Sequence, residues 1–511
     1  MTASPVPTPS AAALGFLRAL GTIRVLLDAS EPTPVGFLRI GWMVLPAIAL
    51  VIRLAYVATL PPTNVVTFEA DPITYDQIAL NILLGKGFSG ASFYYPPGSD
   101  VPTSFWDPLY PYFLAAVYWT FGYSIPAVRV VQAIIGAVSV AMAWHVGRRL
   151  AGPAAGLLTG AILAGYPFLL YYTGQLLTET LFIGLILATV AAGIEAMRTG
   201  RLAWFLGLGL AGGLAAMGRA EAFAFTLAYV PWCAWFAPRR NGRPWAIALA
   251  VGWLAAGATL APWTIRNTVQ FGRPIITTTK LGYNLYKYYH PQMTPDQTVR
   301  VFVPFPDMEG LDEPARASFL ERLGIAFMLE DPSRTARFMV AKFLLLFKLV
   351  PSNEATRGYA FVSLLSFGVL LPFMAAGAAM VLMRGRSWWP VAGYVAFSVA
   401  TKTAVFAGIR LRMQVEPFLV LFAAVAITSL MQATIDATIA RFAPWARHRR
   451  VHPGGSAEIP RSSGCSSEAP PEGGAFPGTI TGDGQRRVPP PRPAAPSEED
   501  EVPPSGGRFA P

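Results

Sequence analysis

Charged residues are scarce in this chain. They make up 14% of its 511 residues, against roughly a quarter in water-soluble domains, while 53% are hydrophobic and the mean hydropathy is +0.43. The two cysteines, Cys233 and Cys465, lie far apart in unlike surroundings and exclude a disulfide scaffold. None of the four histidines pairs at helical ligand spacing, which leaves a zinc hydrolase without support. There is no glycine loop running into Lys and Ser or Thr, so ATP hydrolysis is not the energy source, and no Gly-x-Ser-x-Gly elbow. Energy must come from a gradient or from an activated lipid.

What the chain has in abundance is apolar runs of about twenty residues, the length needed to cross a ~30 Å hydrocarbon core. They fall at Ile40–Leu60, Ile125–Val146, Pro153–Tyr172, Thr178–Met197, Leu202–Met217, Ala220–Phe236, Trp245–Trp263, Tyr359–Met383, Trp388–Ala407 and Met413–Met431. Compact basic loops stand between them: Arg148-Arg149, Arg198 to Arg201, Arg239-Arg240 with Arg243, Arg384 to Arg386, and Arg447 to Arg450. With these on the cytoplasmic side together with the N-terminus, ten spans alternate without conflict. Pro108–Phe121 and Phe338–Val350 are shorter and are expected to lie at the outer membrane face. The expected fold class is therefore all-α, a polytopic membrane protein with about 10–12 transmembrane helices and juxtamembrane helices in a long first outer loop. Residues 1–39 form a cytoplasmic N-terminal segment with an amphipathic helix at Ala11–Leu27. Residues 40–432 form the membrane domain and 433–450 its basic cytoplasmic end. In the tail, 451–511, 23 of 61 residues are Gly or Pro, too few apolar groups to offset ordering entropy, and it is expected to be disordered.

Charges at span mouths carry the functional information, because each costs free energy to hold near lipid. The first outer loop, from Pro61 to about Ser124, holds Glu69 and Asp71, two carboxylates able to share a divalent cation or to divide basic and supporting roles. Taken alone, Glu-x-Asp reads equally as a solvated turn. A helix is expected at Tyr75–Leu84, ended by Gly85, with Asp76 facing solvent. Glu179 opens the fourth span, where helix N-terminal stabilisation is the simpler alternative. Arg129, Arg219 in Arg219-Ala-Glu221, Arg266, Arg410 and Arg412 stand at span ends. Each alone reads as a snorkelling side chain, and together they suggest a seat for an anionic lipid head, since the guanidinium fork suits phosphate. Arg53 reads as a snorkeller, and His145 as structural and without a partner. Phe93-Tyr94-Tyr95 and Tyr283 to Tyr289 read as an interfacial belt, or as a sugar-stacking surface. The second outer loop, Thr264 to Lys342, contains Lys280 and a helix start at Asp331–Ser333.

Several segments together resemble the GT-C glycosyltransferases, most closely the bacterial branch of the protein mannosyltransferase family that includes aminoarabinose-transferase-like enzymes. They are Glu69-Ala-Asp71-Pro-Ile-Thr-Tyr75 through Gly85-Lys-Gly87, Asp107-Pro-Leu-Tyr-Pro111, Arg129 with Gly147-Arg-Arg149-Leu-Ala-Gly152, Thr178-Glu179-Thr-Leu-Phe182, Pro262-Trp-Thr-Ile-Arg266-Asn267, and Arg410-Leu-Arg412 with Glu416-Pro417. Their order spans roughly residues 38 to 432. Where relatives often carry Pro-Pro or Arg-Pro-Pro before Leu-Tyr-Pro, Trp106-Asp107-Pro stands here. The resemblance implies inverting transfer of a sugar from a polyprenyl-phosphate donor to a lipid, glycan or protein acceptor. The site would face the exterior of a bacterial inner membrane. Asp71 matches the family's first-loop catalytic acid and Glu179 its second acidic position. Donor phosphate would fall to Arg129, Arg266, Arg410 and Arg412, with Glu69, Tyr75, Arg219 and Lys280 in support. No cofactor is required, although Glu69 and Asp71 are placed for a divalent metal ion; no nucleic-acid partner is implied. A transporter or flippase for a lipid-linked or anionic substrate accounts for the same spans and cations. The sequence shows no half-to-half repeat, however, and its polar residues collect at one face, which favours an enzyme.

Overall fold

The computed structural model describes residues 19–22, 24, 35–63, 71–96, 98–239, 245–294, 303–350 and 357–448. Glu69, most of the amphipathic segment at Ala11–Leu27 and the whole of 451–511 lie outside them. Among the described residues every regular element is a helix, and the only extended pairing is two isolated β-bridges, Ser89–Pro102 and Ser92–Tyr95, in the first long loop.

The chain begins with α1 (Gly36–Ala58), then α2 (Asp71–Leu83) and α3 (Leu109–Phe121) in the first long loop. Next come α4 (Ile125–Ala151), the bent pair α5 (Pro153–Ala164) and α6 (Pro167–Thr173), and α7 (Glu179–Thr199). The helices α8 (Leu202–Gly218), α9 (Glu221–Phe236) and α10 (Trp245–Phe271) lead to the second long loop, which holds α11 (Lys280–Tyr289), α12 (Glu313–Glu330) and α13 (Pro332–Leu346). The chain then continues through α14 (Ala360–Met383), α15 (Trp389–Ala404), the single turn α16 (Ile409–Arg412) and α17 (Glu416–His448).

Among the described helices six, α1, α4, α7, α10, α14 and α17, are long and apolar enough to cross a membrane, and the bent α5–α6 pair is apolar enough for a seventh if it crosses as one broken span. The protein is a multi-pass membrane protein. The remaining three apolar runs of the sequence are shorter helices, 17 residues in α8 and 16 each in α9 and α15. At 1.5 Å per residue they reach only about 24–26 Å. Small residues let these helices approach closely, as membrane packing favours. At Gly209 of α8 a Cβ would come within 2.1 Å of the Gly252 carbonyl on α10.

The bend between α5 and α6, 51°, has a local cause. Pro167 has no N–H, so the Leu163 carbonyl four residues before it loses its helical partner. Arg53 supplies the missing donors: it lies buried in α1, 1% exposed, and donates to Leu163 O at 3.3 Å, Ala164 O at 3.0 Å and Ala49 O at 3.2 Å. It is therefore a structural cap rather than a snorkeller. Its side chain crosses α4 at Gly136, where a Cβ would meet Arg53 Nε at 2.6 Å.

His145 is also not alone. Its Nε2 lies 2.9 Å from Glu195 Oε1, which Arg149 Nε approaches at 2.5 Å, so α4 and α7 are pinned together at the end carrying the basic loops. Asp76 is half-buried and is engaged rather than left to solvent: it accepts from Tyr118 Oη at 2.6 Å and Tyr123 Oη at 3.0 Å, tying α2 to the end of α3. The aromatic cluster is not a belt but a seam between the two long loops. Phe93 stacks on Tyr283 at 3.9 Å, Tyr283 stacks on Phe305, and Tyr283, Tyr286 and Tyr289 are buried.

Candidate active site

Three segments distant in sequence meet at the start of α2. Asp71 is its first residue, in the position where a carboxylate complements the helix dipole. Glu179 opens α7 in the same way, and Arg410 lies in the one-turn α16. Arg410 Nη1 donates to Asp71 Oδ2 at 2.8 Å, and its Nε and Nη2 donate to Glu179 Oε1 at 2.5 Å and Oε2 at 3.4 Å. Arg219, directly after α8, donates from Nη2 to the same Glu179 Oε1 at 2.7 Å. Glu179 is wholly buried, so a dipole-stabilising role does not account for it alone: two guanidinium groups hold it.

A second charged pair flanks the first. Lys280 Nζ, at the start of α11, lies 3.8 Å from Asp107 Oδ2 and 4.3 Å from the centre of the Trp106 ring. Arg219 also lies close enough to Asp107 to act on it electrostatically. Behind these groups, Glu221 is bound at 2.7 Å by Lys402 of α15. Tyr75 packs edge-on to Trp106 and Tyr110 beneath Asp71, and Tyr110 Oη donates to Gln132.

The two aspartates are in opposite electrostatic conditions. Burial pushes the Asp71 carboxyl up, but Arg410, Lys280 and Arg219 together outweigh it and hold it below the usual Asp range. At Asp107 burial prevails over Lys280 and Arg219, and its affinity for a proton is raised. Burial likewise lowers Lys280, against the pull of Asp107 and Asp71.

The remaining cations named from the sequence stand elsewhere, each holding backbone. Arg129 donates from Nε to Gly174 O at 2.8 Å and from its two terminal nitrogens to Pro61 O and Thr63 O, organising the entry to the first loop. Arg266 donates to Thr103 O at 2.9 Å and Phe88 O at 2.6 Å, fixing that loop to α10. Arg412 is buried, pairs with Glu416 at 2.6 Å and donates to Leu346 O and Lys348 O. Of the four arginines expected at donor phosphate, Arg410 alone joins the carboxylates. Among the described residues no group of three or more His, Cys, Asp or Glu is placed to hold a metal ion, and Glu69 lies outside them.

Sequence reasoning missed Asp107 as a member of this cluster and Glu313 as its support. Glu313, wholly buried, accepts from Thr103 Oγ1, Ser104 N and Oγ, and Thr279 Oγ1 at 2.6–2.9 Å, joining both long loops to α12. The only signal for Asp107 was its presence where relatives carry proline. Nothing in the sequence singles out Glu313, because its three hydroxyl-bearing partners stand 34 to 210 residues away.

Residues 100–263 match the model of the dolichyl-phosphate-mannose-protein mannosyltransferase family. That segment carries Asp107, Arg129, Glu179, Arg219 and Glu221 of the geometry above. The match covers 164 of the 511 residues and makes that segment similar to this family of membrane glycosyltransferases. No curated protein sequence matches the chain. Solved structures similar to it include ArnT from Cupriavidus metallidurans in the apo state, with 15% identity and a TM-score of 0.34 over 75% of this chain and 76% of that one. The same protein bound to undecaprenyl phosphate gives 17% identity and 0.36, over 76% and 78%. The apo oligosaccharyltransferase of Archaeoglobus fulgidus gives 17% and 0.47, over 76% of this chain and 50% of that one. The matched segment contains Glu179 and Arg219; Asp71, Lys280 and Arg410 lie outside it and join the cluster through the contacts described.

Proposed function

We propose that the protein transfers a sugar from a polyprenyl-phosphate donor to a hydroxyl-bearing acceptor at the extracytoplasmic membrane face, with inversion at the anomeric carbon. The observation that carries this reading is Arg410 held between Asp71 and Glu179 at one end of the helix bundle, with Arg219 and Lys280 beside it. Asp71, Asp107, Glu179 and Glu221 there balance Arg219, Lys280, Lys402 and Arg410. A phosphate entering such a balanced cluster competes with the carboxylates for guanidinium donors, and Arg410, shared between Asp71 and Glu179, is the one whose displacement frees Asp71. As it turns toward phosphate its hold on Asp71 loosens and Asp71 becomes more basic.

The acceptor hydroxyl then attacks the anomeric carbon and gives its proton to Asp71. The bond between that carbon and the phosphate oxygen breaks, its electron pair staying on the phosphate, where Arg410, Arg219 and Lys280 stabilise the charge. Glu179 keeps both arginines aligned. An apolar cleft of about 250 Å³ between α8, α9 and α10, lined by Gly212, Ala216, Phe223, Trp253 and Gly257 among others, suits part of the polyprenyl chain. Ala216 is within one helical turn of Arg219, so the cleft is near the charged cluster.

Purified protein given a sugar-loaded polyprenyl phosphate should release polyprenyl phosphate in step with appearance of a glycosylated acceptor. Movement of the donor lipid across a vesicle membrane without any released phosphate would instead identify a flippase.

A further inference from the structure

Lys342 on α13 is wholly buried, and the chemistry proposed above makes no use of it. Burial pushes its ammonium down to about 7, with no carboxylate beside it among the described residues. A cation in that setting is expensive to keep unless something else solvates it. Here it is solvated by backbone and by an aromatic face. Nζ donates to Val405 O at 2.9 Å and stands 3.6 Å from the centre of the Tyr289 ring. Val405 is the residue immediately after α15, where helix carbonyls lack intrahelical donors and the dipole is negative.

Two more contacts grip the same stretch from α11. Tyr289 Oη donates to Ala404 O at 2.6 Å, and the Tyr288 ring stacks on Phe406 at 4.4 Å. Arg334 in turn fixes Tyr289 from behind, donating to its carbonyl at 3.0 Å. Three consecutive residues, 404–406, are thus clamped to the second long loop. The chain then runs extended through Gly408 into the single turn that carries Arg410.

We infer that Lys342, with Tyr289, is a positioning residue for Arg410: the pair clamps the end of α15 and thereby sets where the guanidinium stands between Asp71 and Glu179. The alternative, a purely local role in helix packing, predicts loss of folded protein without any selective change at Arg410. The proposal's kinetic arm rests on the transferase reading; its structural arm does not.

Lys342→Met keeps the aliphatic stem and removes the ammonium, and Tyr289→Phe keeps the ring and removes only the donor to Ala404. Hydrogen–deuterium exchange on the full-length protein in detergent or nanodisc should show at least tenfold faster exchange across residues 405–412 in both variants. The helix α4 should be unchanged. With polyprenyl-phosphate sugar as probe, kcat should fall by about tenfold or more while donor KM changes less than threefold, because Arg410 stabilises the charge that develops on the leaving phosphate. Wild-type exchange at 405–412 in Tyr289→Phe, or exchange that rises equally throughout the protein in both variants, overturns the inference. If wild-type protein shows no transfer while exchange at 405–412 still rises selectively, the function fails and the clamp stands.

Discussion

Glu179→Gln isolates the electrostatic part of the site. The substitution keeps volume and one acceptor oxygen but removes the charge that Arg410 approaches at 2.5 Å and Arg219 at 2.7 Å. Because Glu179 is wholly buried, its removal as an anion leaves two guanidinium groups uncompensated. Breaking one partner of a buried pair costs about 3–5 kcal/mol. Since about 1.36 kcal/mol is tenfold in rate, even the lower figure, expressed as misplacement of Arg410, lowers transfer about 100-fold. The companion experiment is Arg219→Met alone and combined with Glu179→Gln. Removing one cation with the anion relieves part of the penalty, so the double variant should be better than the sum of the singles by at least ~1 kcal/mol, measured both in melting temperature and in kcat/KM. Independent sites add to within about 0.5 kcal/mol. Additivity at that level would refute the claim that Glu179 works by holding the two arginines together.

The pH response follows from the opposed aspartates. Asp71 is depressed in the fold, so its contact with Arg410 contributes stability above its unfolded pKa near ~3.9 and loses it only as pH falls through the lower folded value. Asp107 is raised and protonates first on acidification, so Asp107→Asn should move the acid limb of a pH–rate profile to lower pH, and an unmoved limb counts against the assignment. Reporters fused after Arg149 and Arg386 and within the Arg239–Arg243 loop should read cytoplasmic, and one at Asp312 external. A cytoplasmic signal at Asp312 would put the second long loop on the wrong side. Deleting residues 451–511 should leave insertion and transfer intact, checked by expression and turnover of the truncated protein.

Helix positions and the two central carboxylates were legible because both depend on local pattern. Apolar runs declare themselves by length, Glu179 by opening one of them, and Asp331 by standing before Pro332 and Ser333 at a helix start. Asp71 was legible as one of two carboxylates in a polar loop and through the family resemblance, while the helix expected from Tyr75 in fact begins at Asp71 itself. What an arginine binds is decided by which carbonyls tertiary structure orphans. Arg53 answers the Pro167 break, and Arg129 and Arg266 answer loop carbonyls 45 to 178 residues away. No charge pattern separates these from an arginine waiting for phosphate. Arg412 was the exception, since Glu416 stands four residues on, the helical ion-pair spacing.

The direct test of the central claim is turnover of the Asp71→Asn protein with a polyprenyl-phosphate sugar and its acceptor. Asparagine keeps the shape beside Arg410 and removes the proton acceptor. Transfer should fall by about 100- to 10,000-fold, the usual contribution of a positioned general base, while donor lipid still binds. Wild-type turnover in that variant would contradict the account and move the base to another carboxylate of the cluster.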